Sequence, residues 1–502
     1  MWFQSRLVAV ASALWIALFS AAQVQGGSLS LVKGQALFTF QYSTQQASST
    51  NWVGLYHFGD GPVDQEKRPG SSITWKYAPG AEGTLQLDPS GLEPGNYTAF
   101  FLANGGYKWV SDPAEVYLPR EAGGDVSFIV SEITLPNARQ GDEYSYSIAG
   151  LIKGGETIQF AKQGSSPGWV HISPEGVISG TPPHDAEEAV VTARAIGPNS
   201  AATAVFTIPV RPSGSRLLNK LEVLSLNMWN GGTKVSNYHE KQVRFIASSG
   251  ADVVGLQEDQ SGRHAARLAG ALGWYYWSSH GDVGILSKYP IVQDYGVISG
   301  PSRSGGVRIA LDGESQQINF YVAHLGFTPY GPYDFCYEKM TPEQVIAREE
   351  QSGRTPQMKA TLAGMEKQLD QADKVPLLFA GDMNAPSHLD WTEGLKEKHC
   401  GYAGVRWPTS VLPEEAGLVD SFRVAHPDPV AVEGLTWSPL NKWNGDKPEP
   451  QDRIDFIYHK GKGLKVSDSR AVVVGKPNPD PYRDNEWTSD HAAVLTSYEL
   501  DA

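Results

Sequence analysis

Eight residues carry the chemistry open to this chain: Asn227, Glu258, His324, Asp382, Asn384, Asp455, Asp490 and His491. They are two amides, four carboxylates and two imidazoles. Carboxylates gathered in one pocket repel one another and need a cation to offset the repulsion. Oxygen-rich ligand sets favour Mg²⁺, with Mn²⁺ second, over zinc. Such an ion polarises a phosphoryl oxygen and stabilises a leaving alkoxide. A carboxylate can orient or deprotonate an attacking water, while imidazole and amide groups hold phosphate oxygens. The inventory fits metal-assisted attack of water on a phosphoester. Residues 219–500 hold no G-x-S-x-G nucleophile elbow, and both cysteines lie away from these positions.

The eight positions share one device. Leu221-Glu-Val-Leu-Ser-Leu leads into Asn227, Ala251-Asp-Val-Val-Gly-Leu-Gln into Glu258, and Ile318-Asn-Phe-Tyr-Val-Ala into His324. Val375-Pro-Leu-Leu-Phe-Ala leads into Gly381-Asp382-Met383-Asn384. Asp455 opens the run Phe456-Ile457-Tyr458, and Ser489-Asp490-His491 precedes Ala492-Ala-Val-Leu. Short apolar runs bounded by polar residues read as buried strands. A buried strand fixes its terminal side chain, so several can converge on one site. Between the runs, Pro342–Glu350 and Pro356–Ala372 read as helices with a proline near each start. Residues 219–500 are therefore α/β in character. The Glu349-Glu350 pair reads as a solvated helix face.

In order and spacing, this set resembles the endonuclease/exonuclease/phosphatase superfamily, which includes pancreatic-type deoxyribonuclease, abasic-site endonucleases, deadenylases, neutral sphingomyelinases and inositol polyphosphate 5-phosphatases. The resemblance implies a four-layer α/β domain, a central β-sandwich flanked by helices. It implies Glu258 as the principal Mg²⁺ ligand, with Asn227 and Asp490 close to the metal. Asp382 would orient or deprotonate the attacking water, and Asn384 would hold that water or the phosphate. His491, oriented by Asp455, would contact the scissile phosphate, with His324 as the second histidine there. The chain departs from the 5-phosphatase pattern at Phe379-Ala-Gly-Asp-Met-Asn384 and Pro450-Gln-Asp-Arg453, where that branch carries tryptophan in place of Phe379 and Pro450. The Asp455 strand and the Ser-Asp-His end look closer to the nuclease and sphingomyelinase branches.

Upstream the pattern changes. Residues 27–125 alternate short apolar stretches with Gly, Pro, Asn and Asp turns at β-sandwich spacing. Their aromatics Trp52, Tyr56, Trp75, Tyr77, Tyr107 and Trp109 suit sheet packing better than sugar stacking. Residues 128–212 form a second β segment, whose Gly176-Val-Ile-Ser-Gly-Thr-Pro182 resembles putative-Ig, cadherin-like modules. Arg211-Pro-Ser-Gly-Ser-Arg216 reads as a linker. The fold class expected is multidomain: two N-terminal all-β, Ig-like sandwich modules, then the α/β domain.

The first 26 residues read as a secretory signal. Arg6 precedes an apolar run from Leu7 to Phe19, followed by small residues at Ser20-Ala21-Ala22. The run is shorter than the roughly 20 apolar residues that span a bilayer. The mature chain is thus expected to be extracellular, without a transmembrane segment. Cys336 and Cys400 would then enter an oxidising compartment, and the sequence leaves their pairing open. Asn96-Tyr97-Thr98 is the one N-x-S/T sequon.

The chain has 502 residues with 41 Lys+Arg against 55 Asp+Glu, a net charge of −14. Residues 219–502 alone hold 28 basic and 37 acidic residues, 28 − 37 = −9. That balance argues against gripping long nucleic acids or anionic membranes by bulk charge. The leading expectation is a secreted Mg²⁺-dependent phosphodiesterase acting on a lipid, nucleic-acid or small-molecule phosphoester. Its β modules would serve as spacers or reach a glycan or cell surface. A secreted nonspecific nuclease is the second reading. A surface or carbohydrate-binding protein with an inactive catalytic domain is the third. After His324 comes a Pro- and Gly-pinned aromatic loop, from which Tyr330 and Tyr333 are expected to wall the substrate pocket.

Overall fold

The computed structural model describes residues 27–500, apart from 33–37, 58–60, 63–71, 89–91, 93–94, 119–124, 156, 166 and 261. The expected signal segment lies outside the described residues. The chain divides into two compact units, one ending near residue 119 and one holding nearly all that follows.

The first unit is built of β-strands. Ser28–Leu31, Thr39–Ser43 and Glu82–Gln86 make one antiparallel sheet. Thr74–Tyr77, Trp52–His57, Gly95–Leu102 and Ala114–Leu118, in that order, make the other. Phe38 against Tyr97 and Tyr42 against Phe101 close the space between them. The sequon's Asn96 sits in the strand Gly95–Leu102. Trp52 and Tyr56 are buried as expected, but Trp75 and Tyr77 are 50% and 55% exposed. Both lie on the edge strand, on the face that alternation turns outward.

The second unit begins with a β module. Gln159–Gln163, Ala189–Ile196, Ala201–Ile208 and Glu132–Thr134 form its larger sheet. Ala189–Ile196 alternates buried and open positions along its whole length, as a half-buried strand must. The Val-Ile-Ser-Gly segment forms the strand Val177–Gly180.

The α/β part holds two six-stranded sheets. The first contains β1 (Lys220–Asn227), β2 (Val253–Gln257), β3 (Tyr275–Ser278) and β4 (Val283–Ser287). The second contains β5 (Ile291–Val297), β6 (Ser304–Asp312), β7 (Gln316–His324), β8 (Leu377–Asp382), β9 (Val419–Asp420) and β10 (Asp455–Lys460). Strands β11 (Leu464–Val472) and β12 (Ala493–Leu500) return to the first sheet. The orders are β3-β4-β2-β1-β12-β11 and β5-β6-β7-β8-β10-β9. Val223, Val253, Ile285, Phe320, Val322, Leu378, Ala380 and Ile457 fill the space between the sheets. Gly255 lets them close: a Cβ there would lie 3.3 Å from Ala380, Phe320 and Val322 side-chain atoms.

Helices α1 (Tyr238–Ser249) and α2 (Arg263–Leu272) cover the outer face of the first sheet. Helices α3 (Gly331–Cys336), α4 (Pro342–Gln351) and α5 (Arg354–Gly364) follow β7, and Met358 of α5 packs on the outer face of the second sheet. The result is helix, sheet, sheet, helix. The second expected helix starts earlier than Pro356, and it breaks at Met365 before resuming as Glu366–Asp370.

Four features depart from or complete the sequence reading. Arg211–Arg216 is not a loose tether. Arg211 donates to Asn219 Oδ1 at 2.7 Å, and Asp312 Oδ2 binds Arg139 at 2.6 Å and the Leu217 amide at 3.0 Å. The β module also shares one apolar core with α1 and α2, where Tyr146 donates to the Leu272 carbonyl and accepts from Trp274 Nε1. Glu349 is not on a solvated face: it is fully buried, paired with the fully buried Arg354, and only Glu350 is exposed. Cys336 and Cys400 form a disulfide.

Candidate active site

Strand alternation places the site. Residues of even number on β7, β8 and odd number on β10 face the other sheet, with Val322, Leu378, Ala380 and Ile457 as core members. Register pairs His324 with Asp382 and Asp382 with Asp455. The three side chains therefore stand in one row at the end of the inter-sheet core. Asn227 ends β1 beside Gln257, so Glu258 emerges next to it. Gly381 lets β8 lie this close to β7, because a Cβ there would run into the Ala323 carbonyl.

The row is cross-linked at its centre by Asp382. Asn227 Nδ2 donates to Asp382 Oδ2 at 3.0 Å, and the Asn384 amide donates to Oδ1 at 2.8 Å. His324 Nε2 lies 3.6 Å and His491 Nε2 3.7 Å from Asp382 Oδ2. His491 Nδ1 is 2.9 Å from Asp455 Oδ2, which fixes the ring with Nε2 toward Asp382. The Asn384 side-chain amide donates to the Leu325 carbonyl at 3.1 Å. Glu258 and Asn384 both hold left-handed backbone, φ 60° and 51°, a conformation that costs a non-glycine residue about 1–2 kcal/mol.

The strand ends are stitched together around this row. Ser489 Oγ donates to the Asn227 carbonyl at 2.6 Å and accepts from the His491 amide at 3.0 Å. Thr436 Oγ1 accepts from the Ile454 and Asp455 amides at 3.0 and 3.1 Å. All eight expected residues thus lie in one assembly. Tyr330 and Tyr333 do not join the row. Tyr330 is buried with its hydroxyl 3.3 Å from Asp452 Oδ2, and Tyr333 donates to Glu449 Oε1 at 2.7 Å.

Sequence reasoning missed Asp282. Its Oδ2 lies 2.6 Å from His324 Nδ1, so both site histidines are backed by a carboxylate. A signal was present: Asp282 directly precedes the apolar run of β4, as Asp455 precedes Phe456. Trp437 was also missed, its ring 4.9 Å from that of His491.

Electrostatics show how unsettled so many buried acids are. Burial first, then Asp455, raise the Asp382 carboxyl to about 6, against the pull of His491 and His324. Burial and the Glu258 charge raise Asp490 to about 7, although His491 opposes them. Burial alone would lower His324, but Asp282, Asp382 and Glu258 outweigh it and raise it to about 9. His491 is raised well above the ordinary range by Asp455, Asp382 and Asp490, again against burial.

A divalent cation fits these residues. Asp490 Oδ1 and Asp455 Oδ1 are buried oxygens without a hydrogen-bond partner, and buried acceptors are ordinarily satisfied. Asp490 lies close enough to Glu258 for their charges to repel. Asp382, Asp455 and His491 also offer ligand atoms within 4.8 Å of one another, a group able to hold a metal ion. Asn227 spends its Nδ2 on Asp382 and one lone pair of Oδ1 on the Trp229 amide, which leaves a single acceptor site.

Comparison with known proteins gives two family matches. Residues 224–491 match the Endonuclease/Exonuclease/phosphatase family, and residues 126–211 match a Putative Ig domain. An uncharacterized protein of Caenorhabditis elegans is 34% identical over 295 residues, covering 56% of this chain and 91% of the relative. Truncated Caenorhabditis elegans TDP2 is 16% identical with a TM-score of 0.38, over 56% of this chain and 98% of that one. An AP endonuclease from Archaeoglobus fulgidus is 17% identical with a TM-score of 0.36, over 56% of this chain and all of that one.

Proposed function

The chain belongs to the Endonuclease/Exonuclease/phosphatase family, and we propose that it is a secreted, Mg²⁺-dependent phosphodiesterase within it. Its domain is that of a metal-dependent phosphoester hydrolase. The observation that carries the reading is the unpartnered Asp490 Oδ1, buried near Glu258. Glu258 and Asp490, with the remaining acceptor site of Asn227, would hold Mg²⁺. The ion, when bound, would supply charge to a phosphoryl oxygen and to the leaving oxygen.

The chain's own residues do the rest. Asp382 accepts the proton of the attacking water, or orients it, from a carboxylate held by Asn227 and the Asn384 amide. His491, steered by Asp455, donates toward a phosphate oxygen through Nε2. His324, backed by Asp282, does the same from the other side. The Asn384 side chain holds the water or the phosphate. Export is supported by the leader-like first 26 residues and by the Cys336–Cys400 disulfide, since such bonds persist in oxidising compartments. The preference for a small ester over a nucleic acid is supported by the acidic balance of the domain, which disfavours a polyanion.

The test is a hydrolysis panel on the secreted protein: a bis-aryl phosphodiester, an aryl phosphomonoester, plasmid DNA, RNA and sphingomyelin, each with Mg²⁺ or EDTA. Mg²⁺-dependent diester cleavage, lost in Asp490→Ala, is expected. Plasmid or RNA as the best substrate would replace this reading with a nuclease. Silence on every substrate from folded protein would abandon it.

A further inference from the structure

Trp437 stands against His491, with ring centroids 4.9 Å apart and planes tilted by 59°. Its main chain is bonded on both sides. The Trp437 amide donates to the Asp452 carbonyl at 2.9 Å, and the Ala492 amide donates to the carbonyl of Thr436 at 2.8 Å. The ring is half-buried, and it packs beside the His491 imidazole.

What fixes the ring is Glu449. Its Oε1 accepts from Trp437 Nε1 at 2.7 Å and from the Tyr333 hydroxyl at 2.7 Å. Glu449 itself is buried. Tyr333 stacks on Tyr337 at 5.1 Å, and Tyr337 donates to the Pro448 carbonyl at 2.8 Å. Lys442 braces the same loop by donating to the Ser438 carbonyl at 2.6 Å and to Gln451 at 2.7 Å. A carboxylate oxygen shared by two donors, one on the site's aromatic ring and one on the loop after His324, is a positioning device.

We propose that Trp437 is a substrate-contacting residue that takes the flat, apolar face of an ester group, such as an aryl or nucleobase ring, and that Glu449 and Tyr333 are positioning residues acting through it. The proposal rests on the phosphodiesterase reading for its place in the reaction and names the substrate class that reading leaves open. The tyrosine of the loop after His324 reaches specificity at one remove, through Glu449, rather than by touching substrate.

The test is steady-state kinetics on bis-(4-nitrophenyl) phosphate with Mg²⁺, using full-length Trp437→Ala, Glu449→Leu, Glu449→Gln and the Trp437→Ala/Glu449→Leu pair. Trp437→Ala is expected to raise KM about three- to tenfold, the range of one lost aromatic contact, with kcat less affected. Glu449→Leu should raise KM alike in the parent and add nothing in Trp437→Ala. Glu449→Gln should keep the parent KM, because an amide oxygen accepts both bonds. Additive effects, or a Gln variant as impaired as the Leu one, would overturn the assignment. If Glu449→Leu does not fold, Trp437→Phe, which keeps an aromatic ring but removes the Nε1 donor together with the five-membered ring, replaces it, and an unchanged KM refutes the device. Calorimetric binding of phenyl phosphate separates this inference from the proposed function. A protein that hydrolyses nothing but binds phenyl phosphate more weakly in Trp437→Ala and Glu449→Leu sinks the function and keeps the subsite. Equal binding in all variants sinks the subsite.

Discussion

His324 Nδ1 lies 2.6 Å from Asp282 Oδ2, and this contact makes the two site histidines equivalent in kind. Each imidazole is pinned at Nδ1 by a carboxylate and presents Nε2 to Asp382. Asp282 is half-exposed at the start of β4, whereas Asp455 is buried in β10. The pair on the open side should therefore tolerate substitution without loss of fold. Asp282→Asn is expected to lower kcat about a hundredfold, the scale of a mispositioned acid or base, with KM nearly unchanged. Rate constants and a thermal midpoint within a degree or two of the parent would check this. A kcat equal to the parent's would show that His324 needs no second carboxylate.

Asp490 is expected to trade stability for function. Its carboxyl is buried, unsatisfied at Oδ1 and raised to about 7. Neutralising it as Asp490→Asn removes a buried charge that His491 offsets only in part. In EDTA the variant should melt above the parent, while Mg²⁺ should stabilise the parent and not the variant. Turnover should fall by about two orders of magnitude or more, as expected when charge stabilisation worth several kcal/mol is lost. Glu258→Ala should show the same loss of turnover. A Mg²⁺-induced shift in melting that survives both substitutions would move the ion to the Asp382, Asp455 and His491 group.

The buried Glu349–Arg354 pair holds the loop after His324. Arg354 Nη1 donates to the Gly326 carbonyl at 2.9 Å and Nη2 to the Pro329 carbonyl at 2.6 Å. Arg354→Met leaves Glu349 buried and uncompensated, which costs about 3–5 kcal/mol. Adding Glu349→Leu should restore most of that stability, since apolar replacement of a whole buried pair is often neutral. It should not restore full activity, because the two loop carbonyls stay unheld. Denaturant midpoints of the two variants decide the first claim and kcat/KM the second.

The eight site residues were legible because each stands at the end of an apolar run, and strand ends are where a two-sheet core opens to solvent. Asp282 escaped because His280-Gly281-Asp282 reads as a turn, a setting where aspartate needs no further reason. Glu349 was misread because its partner lies five residues on, across the break at Ser352-Gly353, where helical i,i+4 spacing gives no guidance. The Trp437–Glu449 bond joins two ends of a loop without periodicity. The docking of the β module was hidden for a related reason. Tyr146 meets Leu272 126 residues away, and Pro-Ser-Gly-Ser composition describes a tether whether or not its neighbours pack. Local pattern reveals which elements exist and where they end, whereas contacts between distant buried polar groups leave no local trace.

His459 offers a pH test away from the metal site. Burial lowers it to about 4, so the folded protein keeps this imidazole neutral, with Nδ1 2.8 Å from Ser421 Oγ. An unfolded histidine titrates near 6.5. As pH falls through about 6.5 the unfolded chain takes up a proton that the folded chain refuses until about 4. The contribution of His459 is thus whole above pH 6.5 and shrinks below it, by about 2–3 kcal/mol by pH 4.5. His459→Gln cannot titrate. It should be less stable than the parent at pH 7.5, having exchanged the bond to Ser421, and should gain on the parent by about that amount at pH 4.5. The buried carboxylates are common to both proteins and cancel in the difference. Urea unfolding of both at the two pH values measures it. A stability difference independent of pH would mean that His459 takes up its proton in the folded protein as readily as in the unfolded one, its burial offset by Asp420 nearby.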